Sequence, residues 1–149
     1  MKDGELYLQE RIKDLFKTSN GKYIAPQQIE ALLMVDKFID QAAVIADQEK
    51  FVTALIVPEF RIAEEWARNH KIQFGSREDL CANKRFNEMM MDRISTLQQT
   101  LAPYQQIKRF TLLPHHFSEE SGELTSTLKM KRSVIVRNHK ALIDKMYEE

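Results

Sequence analysis

Cysteine is almost absent from this chain, which has one, Cys81, among its 149 residues. A single cysteine excludes an internal disulfide and a zinc site built from cysteines, and it is typical of a reducing compartment. The sequence therefore predicts a cytoplasmic protein. The neighbours of Cys81 favour a half-buried helix residue over a reactive thiol.

Glycine, proline and net charge are also scarce. Four glycines and four prolines argue against a long disordered linker, and 22 basic residues balance 22 acidic ones. A balanced chain has no overall field that would attract nucleic acid or an anionic membrane. No apolar run approaches the roughly 18–20 residues of a membrane span, and the first residues lack the apolar core of a signal peptide. The composition predicts a globular protein without a nucleic-acid partner.

Length and pattern predict a single α+β domain over residues 1–149. Alternation around an Asn20-Gly21 turn predicts an N-terminal β-hairpin over residues 14–24, and a weaker alternation covers residues 5–9. Apolar runs of strand length predict a small central sheet of about three strands, at residues 38–47, 51–57 and 106–113. Helical spacing predicts flanking helices, at residues 27–33, 59–70, 84–101 and 133–147.

The usual catalytic motifs are missing. The sequence has no glycine-rich phosphate loop and no Gly-x-Ser-x-Gly elbow. His115 and His116 are adjacent, so their side chains point to opposite sides of an extended segment, and no third ligand stands at a plausible spacing. We therefore predict no metal site and interpret both histidines as surface-loop residues. Glu119 and Glu120 are interpreted as part of a solvated turn.

Two short stretches more than a hundred residues apart carry the most information. The first, from Arg11 to Glu30, has the pattern of a strand, a turn, a second strand and the start of a helix. The second, from Gly122 to Arg132, is a polar loop that puts Lys129 before a helix. A positive patch, which on most proteins is only a solvated face, is formed by Lys129, Lys131, Arg132 and Arg137.

Together, and in this order, the two stretches resemble the C-terminal domain of AMP-forming acyl-CoA synthetases. The first is similar to the hinge-and-hairpin motif of adenylate-forming enzymes, matched by Arg11, Asp14, Phe16, Lys17, Gly21, Ile24, Pro26, Ile29 and Glu30. The second, Gly122-Glu-Leu-Thr-Ser-Thr-Leu-Lys129-Met-Lys-Arg132, is similar to the form found in long-chain fatty acyl-CoA synthetases. Residues 80–84 and 117–122 also look like the long-chain branch, so the resemblance covers nearly the whole chain.

The resemblance implies roles for individual residues. Lys129 matches the mobile lysine that brings positive charge to the carboxylate and the α-phosphate as the acyl-adenylate forms. Arg11 matches the arginine that reaches the nucleotide ribose, and Lys13 matches the hinge about which the domain rotates. Gly21 and its hairpin match the wall of the pantetheine channel.

The basic residues after Lys129 leave one alternative open. Lys131 and Arg132 are assigned to the phosphates of CoA from their charge alone. Leu128 stands where many relatives have glycine, so an alignment in which Lys131 is the adenylating lysine is also possible.

The resemblance also implies a larger enzyme. In this family a large N-terminal adenylation domain carries the nucleotide loop, the adenine site and the fatty-acid tunnel, and none of these has a counterpart here. Residues 1–4 lie almost at the expected domain boundary. The substrates implied are ATP with Mg²⁺, a long-chain fatty acid and CoA, and the resemblance also allows peripheral membrane association of the complete enzyme. The chain alone is expected to be inactive.

Two other interpretations stay open. One is a related enzyme for another acid, such as an aryl or short-chain acid ligase or a peptide-synthetase adenylation domain, against which residues 80–84 and 117–132 argue. The other is a non-enzymatic α+β module that binds a partner protein, which the length of the native reading frame would distinguish.

Overall fold

A three-stranded sheet organises residues 15–148, the part of the chain that the structure, a computed structural model, describes. The strands are β1 (Phe16–Lys17), β2 (Tyr23–Ile24), β3 (Ile39–Ile45), β4 (Val52–Pro58) and β5 (Ile107–Leu112). The α-helices of these residues are α1 (Pro26–Leu33), α2 (Phe60–Asn69), α3 (Arg77–Ala82), α4 (Lys84–Leu97), α5 (Arg132–Asn138) and α6 (Lys140–Met146). The predicted α+β class, three-stranded sheet and N-terminal hairpin are confirmed. The alternation over residues 5–9 lies outside the described residues.

The central sheet has the order β3-β4-β5. Strands β3 and β4 are antiparallel, with Val44 opposite Ala54, whereas β4 and β5 are parallel, with Leu55 opposite Thr111. A parallel pair needs a crossover of a dozen or more residues, which α2, α3 and α4 provide. Every residue of the central strand β4 is buried. The sequence of β4 is nearly all apolar because both faces of the sheet are covered by other parts of the protein at this strand.

Two hydrophobic layers cover the two faces of this sheet. Successive residues of a strand point to opposite faces, so Ala54 and Ile56 join one layer and Leu55 and Val57 join the other. The α4 side chains buried in the first layer are Phe86, Met90 and Ile94. Full burial of an apolar side chain of this size stabilises the fold by about 1.5–3 kcal/mol. Of the three consecutive methionines 89–91, Met90 is fully buried in this layer and Met89 packs against it.

The helix predicted at residues 84–101 ends at Leu97. The side chain of Gln98 accepts a hydrogen bond from the N–H of Ile107 (2.8 Å) and donates one to its carbonyl (3.0 Å). This buried amide ties the end of α4 to the first residue of β5. The prediction of four further helical residues is wrong because helical spacing carries no information about such a tertiary contact.

The helix predicted at residues 133–147 is two helices that meet at His139. This residue has φ −116° and ψ 23°, so it is the C-cap of α5 and the N-cap of α6. Its Nε2 lies 2.7 Å from a carboxylate oxygen of Glu123, which holds the bend in place. Beyond the bend Ile143 reaches the second hydrophobic layer. Leu142, which the spacing predicts for the same inner face, is exposed.

The N-terminal hairpin places Phe16 opposite Ile24. Its turn closes with a hydrogen bond from the N–H of Gly21 to the carbonyl of Thr18 (2.9 Å). Gly21 has φ 81°, a left-handed conformation that glycine adopts without steric cost. Pro26 then begins α1, where its fixed φ suits the first helical position.

Candidate functional site

Four of the six predicted site residues lie in the described part of the chain. They are Gly21, Lys129, Lys131 and Arg132. The other two, Arg11 and Lys13, lie outside residues 15–148. The four fall in two places, which we call the glycine hairpin (residues 16–24) and the lysine loop (residues 124–130, with the start of α5 directly after it).

Lys129 lies near the tip of the lysine loop, which backbone hydrogen bonds hold closed. The N–H of Thr125 donates to the carbonyl of Lys129 (2.8 Å), and the N–H of Lys129 donates to the hydroxyl of Thr125 (3.0 Å). Below them Leu124 and Met130 form an antiparallel bridge. The side chain of Lys129 is exposed. The loop therefore presents a flexible ammonium group on a well-supported backbone.

Leu128 precedes this lysine and has a backbone conformation that residues other than glycine rarely adopt. Its φ is 64°, and the left-handed region costs a non-glycine residue about 1–2 kcal/mol. The side chain is 69% exposed, so little burial offsets that cost. Glycine would adopt the same conformation without this cost. Leucine keeps the same turn but strains it.

A buried carboxylate supports the lysine loop from below. Glu123 is 4% exposed, accepts a hydrogen bond from Ser121 Oγ (2.7 Å) and lies 2.7 Å from His139 Nε2. Its backbone carbonyl accepts a hydrogen bond from the N–H of Lys131 (2.8 Å). Glu123 thus ties the base of the loop to the bend between α5 and α6. Sequence reasoning missed this role because Glu123 reads as one more polar residue in a polar loop.

The glycine hairpin rests on the turn between β3 and β4. The N–H of Ser19 donates to the carbonyl of Glu49 (3.0 Å), and the N–H of Gln48 donates to the carbonyl of Lys17 (2.7 Å). A Cβ added at Gly21 would meet no atom within 4 Å. The surface in front of the turn is open, and a ligand can approach the backbone there.

A cationic groove of about 230 Å³ opens beside this hairpin. Lys22, Lys50 and Lys108 line it together with Tyr104, and Lys22 Nζ lies 5.4 Å from the centre of the Tyr104 ring. Three ammonium groups around one groove favour an anionic ligand. The lysines come from the hairpin, the β3–β4 turn and β5. No local sequence pattern groups them, so sequence reasoning missed the groove.

Tyr147 holds the C-terminal end of the chain against the same end of the sheet. Its hydroxyl donates to the carbonyl of Phe51 (2.7 Å) and accepts from Thr53 Oγ1 (3.1 Å). Burial raises the pKa of Tyr147 to about 12, the hydrogen bond from Thr53 opposes the rise, and the charge of Glu49 adds to it. The phenol stays protonated at neutral pH and serves as a clamp.

The tip of the lysine loop and the turn of the glycine hairpin lie toward different ends of β3. Near the start of the strand, Gln41 accepts a hydrogen bond from the N–H of Phe117 (2.7 Å) and donates one to its carbonyl (3.3 Å). Gln41 and Leu128 line one apolar groove there. The hairpin contacts the turn that follows Ile45 at the other end. Four residue steps from Gln41 to Ile45 span roughly 13 Å of strand.

An ion pair joins the two sequence stretches. Arg132, the last residue of the second stretch, places both terminal guanidinium nitrogens on the carboxylate of Glu30, the last residue of the first. Glu30 is 4% exposed and also accepts the N–H of Val44 (2.7 Å). The guanidinium carbon of Arg132 lies 5.5 Å from the centre of the Phe16 ring. Residues of β1, α1, β3 and α5 therefore meet at one bidentate contact.

The residues interpreted as structural from the sequence are confirmed as such. Cys81 is half-buried in α3, and burial raises the pKa of its thiol to about 12, so the thiol is protonated at neutral pH. His115 and His116 are exposed, and His116 binds the side chain of Asp40.

Residues 15–148 contain neither a cluster of metal-ligand side chains nor a helix that could span a membrane. Within that range no group of three or more His, Cys, Asp or Glu side chains is arranged to hold a metal ion. None of the helices there combines the length and the apolar character needed to cross a bilayer.

Comparison with known proteins agrees with the resemblance. Residues 13–149 match the family of AMP-binding enzyme C-terminal domains. The human long-chain-fatty-acid–CoA ligase 1 is 33% identical over 148 residues, which are 97% of this chain and 21% of that protein. A long-chain-fatty-acid–CoA ligase of Mycobacterium tuberculosis is 31% identical over 148 residues, which are 99% of this chain and 25% of that protein. The chain thus spans a quarter or less of the length of these relatives.

Solved structures extend the likeness to the fold. The adenylation domain of a carboxylate reductase from Mycobacterium chelonae has a TM-score of 0.74 at 20% identity, over 93% of this chain and 20% of that one. The adenylation domain of a carboxylic acid reductase from Segniliparus rugosus, in complex with AMP and a co-purified carboxylic acid, has a TM-score of 0.71 at 18% identity, over 92% and 20%. At such identities the comparison speaks to the fold alone.

Proposed function

This chain belongs to the family of AMP-binding enzyme C-terminal domains, and on that premise we propose that it is the mobile C-terminal domain of a long-chain fatty acid–CoA ligase. In the proposed reaction a fatty acid and ATP give acyl-AMP and pyrophosphate, and the thiol of CoA then displaces AMP to give acyl-CoA. The observation that carries the proposal is the exposed Lys129 on its hydrogen-bonded loop. The curated relatives named above, which are long-chain ligases, favour that substrate class.

The proposal includes partners beyond this domain. An N-terminal adenylation domain would hold the fatty acid and ATP, which enters with Mg²⁺ on its phosphates, and the C-terminal domain would close over them. We place the enzyme in the cytoplasm, and peripheral contact with a membrane is compatible with a fatty-acid substrate.

Lys129 is proposed to offset negative charge during adenylation. The carboxylate and the α-phosphate are both anionic, so bringing them together requires a positive group at the reacting oxygens. A lysine ammonium on a long flexible side chain meets that need. Arg11 is proposed at the nucleotide ribose. Once the adenylate has formed, the lysine must leave so that the thiol can approach, which requires rotation of the domain about a hinge proposed at Lys13.

The glycine hairpin is proposed to face CoA in the second step. The open surface at Gly21 supports the approach of a pantetheine chain, and the lysines of the neighbouring groove, Lys22 and Lys108, suit the phosphates of CoA. Of the two residues assigned to CoA by charge, Lys131 is exposed, whereas the guanidinium of Arg132 already binds a buried carboxylate. We therefore propose Lys131 as the CoA contact.

The placement of the two regions supports a rotating domain. Leu128, at the tip of the lysine loop, lines a groove with Gln41 near the start of β3, and the glycine hairpin bonds to the turn after Ile45, roughly 13 Å further along the strand. We propose that one orientation of the domain brings Lys129 to the reacting centre and that a second orientation brings the turn at Gly21 there. A rotation exchanges one for the other without refolding either, which matches a reaction of two successive steps.

The test compares two lysines of one segment in the full-length enzyme. Lys129→Ala is expected to lower adenylation by about 10²–10³-fold and to spare thioester formation, because the positive charge is needed only in the first step. ATP–pyrophosphate exchange reports the first step, and acyl-CoA formation from supplied acyl-AMP reports the second. Lys131→Ala is the matched control, expected to keep adenylation and to raise KM for CoA. Loss of adenylation in Lys131→Ala instead would establish the alternative alignment, and equal loss of both steps in Lys129→Ala would reject the assignment.

The domain by itself is expected to form no acyl-adenylate, because the proposal places the nucleotide and acid sites in the other domain. ATP–pyrophosphate exchange by residues 1–149, measured beside the full-length enzyme as the positive control, checks this. Robust exchange by the short chain would contradict the proposal.

A further inference from the structure

We infer that Glu30 and Arg132 are positioning residues that hold the lysine loop in place for adenylation, an inference that rests on the proposed function. Arg132 follows Lys129 by three residues and is the first residue of α5. Its side chain binds a carboxylate that is 102 residues distant in sequence. Whatever fixes Arg132 also fixes the C-terminal end of the lysine loop.

The carboxylate that receives Arg132 is itself fixed by the sheet. Strand β3 is an edge strand in the order β3-β4-β5, and an outward N–H of an edge strand needs a partner when it is buried. Val44 donates that N–H to Glu30 (2.7 Å). Glu30 therefore has one oxygen on the backbone of the sheet while both oxygens face the guanidinium. The carboxylate of Glu30 therefore fixes the position of the lysine loop relative to β3.

The ion pair between Arg132 and Glu30 fixes the orientation of the lysine loop more than it stabilises the fold. Replacing a buried ion pair by well-packed apolar side chains is often neutral or stabilising, because both charges must lose their hydration. A bidentate arginine–carboxylate contact instead fixes both distance and orientation. Lysine in place of Arg132 would keep the charge without the planar fork. If adenylation requires arginine and not lysine at position 132, it requires the orientation that the planar guanidinium imposes.

The same contacts disfavour a role for Arg132 at a ligand. Moving the guanidinium to a phosphate would leave the carboxylate of Glu30 buried and unpaired, which is strongly unfavourable. The guanidinium also lies over the ring of Phe16 in the glycine hairpin. Arg132 thus contacts both functional regions, and neighbouring residues bind the ligand instead.

The experiment uses the full-length enzyme with three arginine variants. Arg132→Met is expected to lower kcat of adenylation by about 10–100-fold, as misplacement of a reacting group does, with KM for ATP and thioester formation from acyl-AMP little changed. Arg132→Lys should show most of that loss. Arg137→Met is the matched control, since Arg137 is an exposed arginine of the same helix. Equal activity of Arg132→Met and Arg137→Met would overturn the inference.

A double-mutant cycle separates positioning from general stability. If Arg132 acts through Lys129, Arg132→Met should cause no further loss of adenylation in a Lys129→Ala background. Additive losses, or equal loss of both half-reactions with a lowered Tm, would overturn the inference. Glu30→Gln, which keeps an acceptor for the N–H of Val44, should show the same selective loss and carries the test if Arg132→Met does not fold.

The outcomes also separate this inference from the proposed function. Full adenylation by both Lys129→Ala and Lys131→Ala would reject the proposed function and the inference together. Loss of adenylation in Lys129→Ala, combined with full adenylation in Arg132→Met and Glu30→Gln, would reject the inference alone.

Discussion

The glycine hairpin and the lysine loop share a backbone feature but build it from different residues. In each, a lysine directly follows a residue in the left-handed conformation, Gly21 at φ 81° in the hairpin and Leu128 at φ 64° in the loop. Glycine adopts that conformation freely, whereas leucine does so at a cost of about 1–2 kcal/mol. The hairpin turn is therefore favourable by itself, and the lysine loop depends on its surroundings.

The surroundings of the two regions differ accordingly. Backbone hydrogen bonds to the β3–β4 turn hold the hairpin. Buried charged side chains hold the loop, with Glu123 bonded to His139 on one side and Arg132 bonded to Glu30 on the other. Backbone contacts tolerate most substitutions, but a buried charge that loses its partner is strongly unfavourable. The loop with the proposed catalytic lysine is therefore the more sensitive of the two to substitution.

The largest effect that tests this comparison, after those of Lys129 and Arg132, is expected at Gly21. Gly21→Ala puts a Cβ at positive φ on the surface proposed for CoA, so thioester formation should fall by about 10-fold or more while adenylation persists. Gly122→Ala is the matched control, because Gly122 has φ 78° and its added Cβ would meet only Val134 Cγ1, at 3.7 Å. The two half-reactions are measured separately. Equal effects of both variants on thioester formation would show that backbone strain alone is responsible.

A medium effect is expected at the clamp beside the hairpin. Tyr147→Phe removes the hydrogen bonds to Phe51 and Thr53 and should lower the free energy of unfolding by about 1–2 kcal/mol. Chemical denaturation of the chain at pH 8 measures it. Tyr104→Phe, at an exposed tyrosine, is the control and should change little. A loss of the same size in Tyr104→Phe would contradict the role of the clamp.

The pKa of Tyr147 adds a pH dependence with a definite sign. Burial raises this pKa from 10.0 to about 12, so above pH 10 the unfolded chain loses a proton that the folded chain keeps. The stabilisation is complete below pH 10 and is lost as the pH rises through about 12. Chemical denaturation between pH 9 and 12 should show that the free energy of unfolding declines with pH, and that the decline is smaller in Tyr147→Phe. An unchanged decline would assign the pH dependence to another group.

The smallest change in the free energy of unfolding is expected at Leu128, the strained residue of the lysine loop. Leu128→Gly should raise the free energy of unfolding by about 0.5–1 kcal/mol, since relief of the left-handed strain exceeds the added entropy of the unfolded chain. Leu142→Gly is the control, because Leu142 is also an exposed leucine but lies within α6, where glycine costs about 1 kcal/mol. Thermal unfolding compares the two. Destabilisation by both variants would show that Leu128 is not strained.

Elements with strong local signals are readable from the sequence. The apolar run of β4, the turn at Gly21 and the proline that starts α1 all lie where the pattern predicts, because each signal involves neighbouring residues. The errors fall at Gln98 and His139. Each binds a residue outside its own helix, nine positions away for Gln98 and 16 for His139, and that contact overrides helical spacing.

The site divides in the same way. Motif resemblance leads to Lys129 and Gly21 because each sits in a recognisable stretch. Glu123 and the cationic groove at Lys22 and Lys108 escape sequence reasoning, since their partners come together only when the chain folds.

Residue patterns alone predict the strands, most of the helices and the order of the two motif stretches, and therefore the family. Which charged side chains a ligand can reach depends on the folded structure. Lys131 and Arg132 are adjacent, basic and alike in the sequence, yet the fold leaves one in solvent and holds the other against the buried carboxylate of Glu30. The energy of a charge depends on its burial and on the distance to its partner. Both are set by packing between residues far apart in the chain.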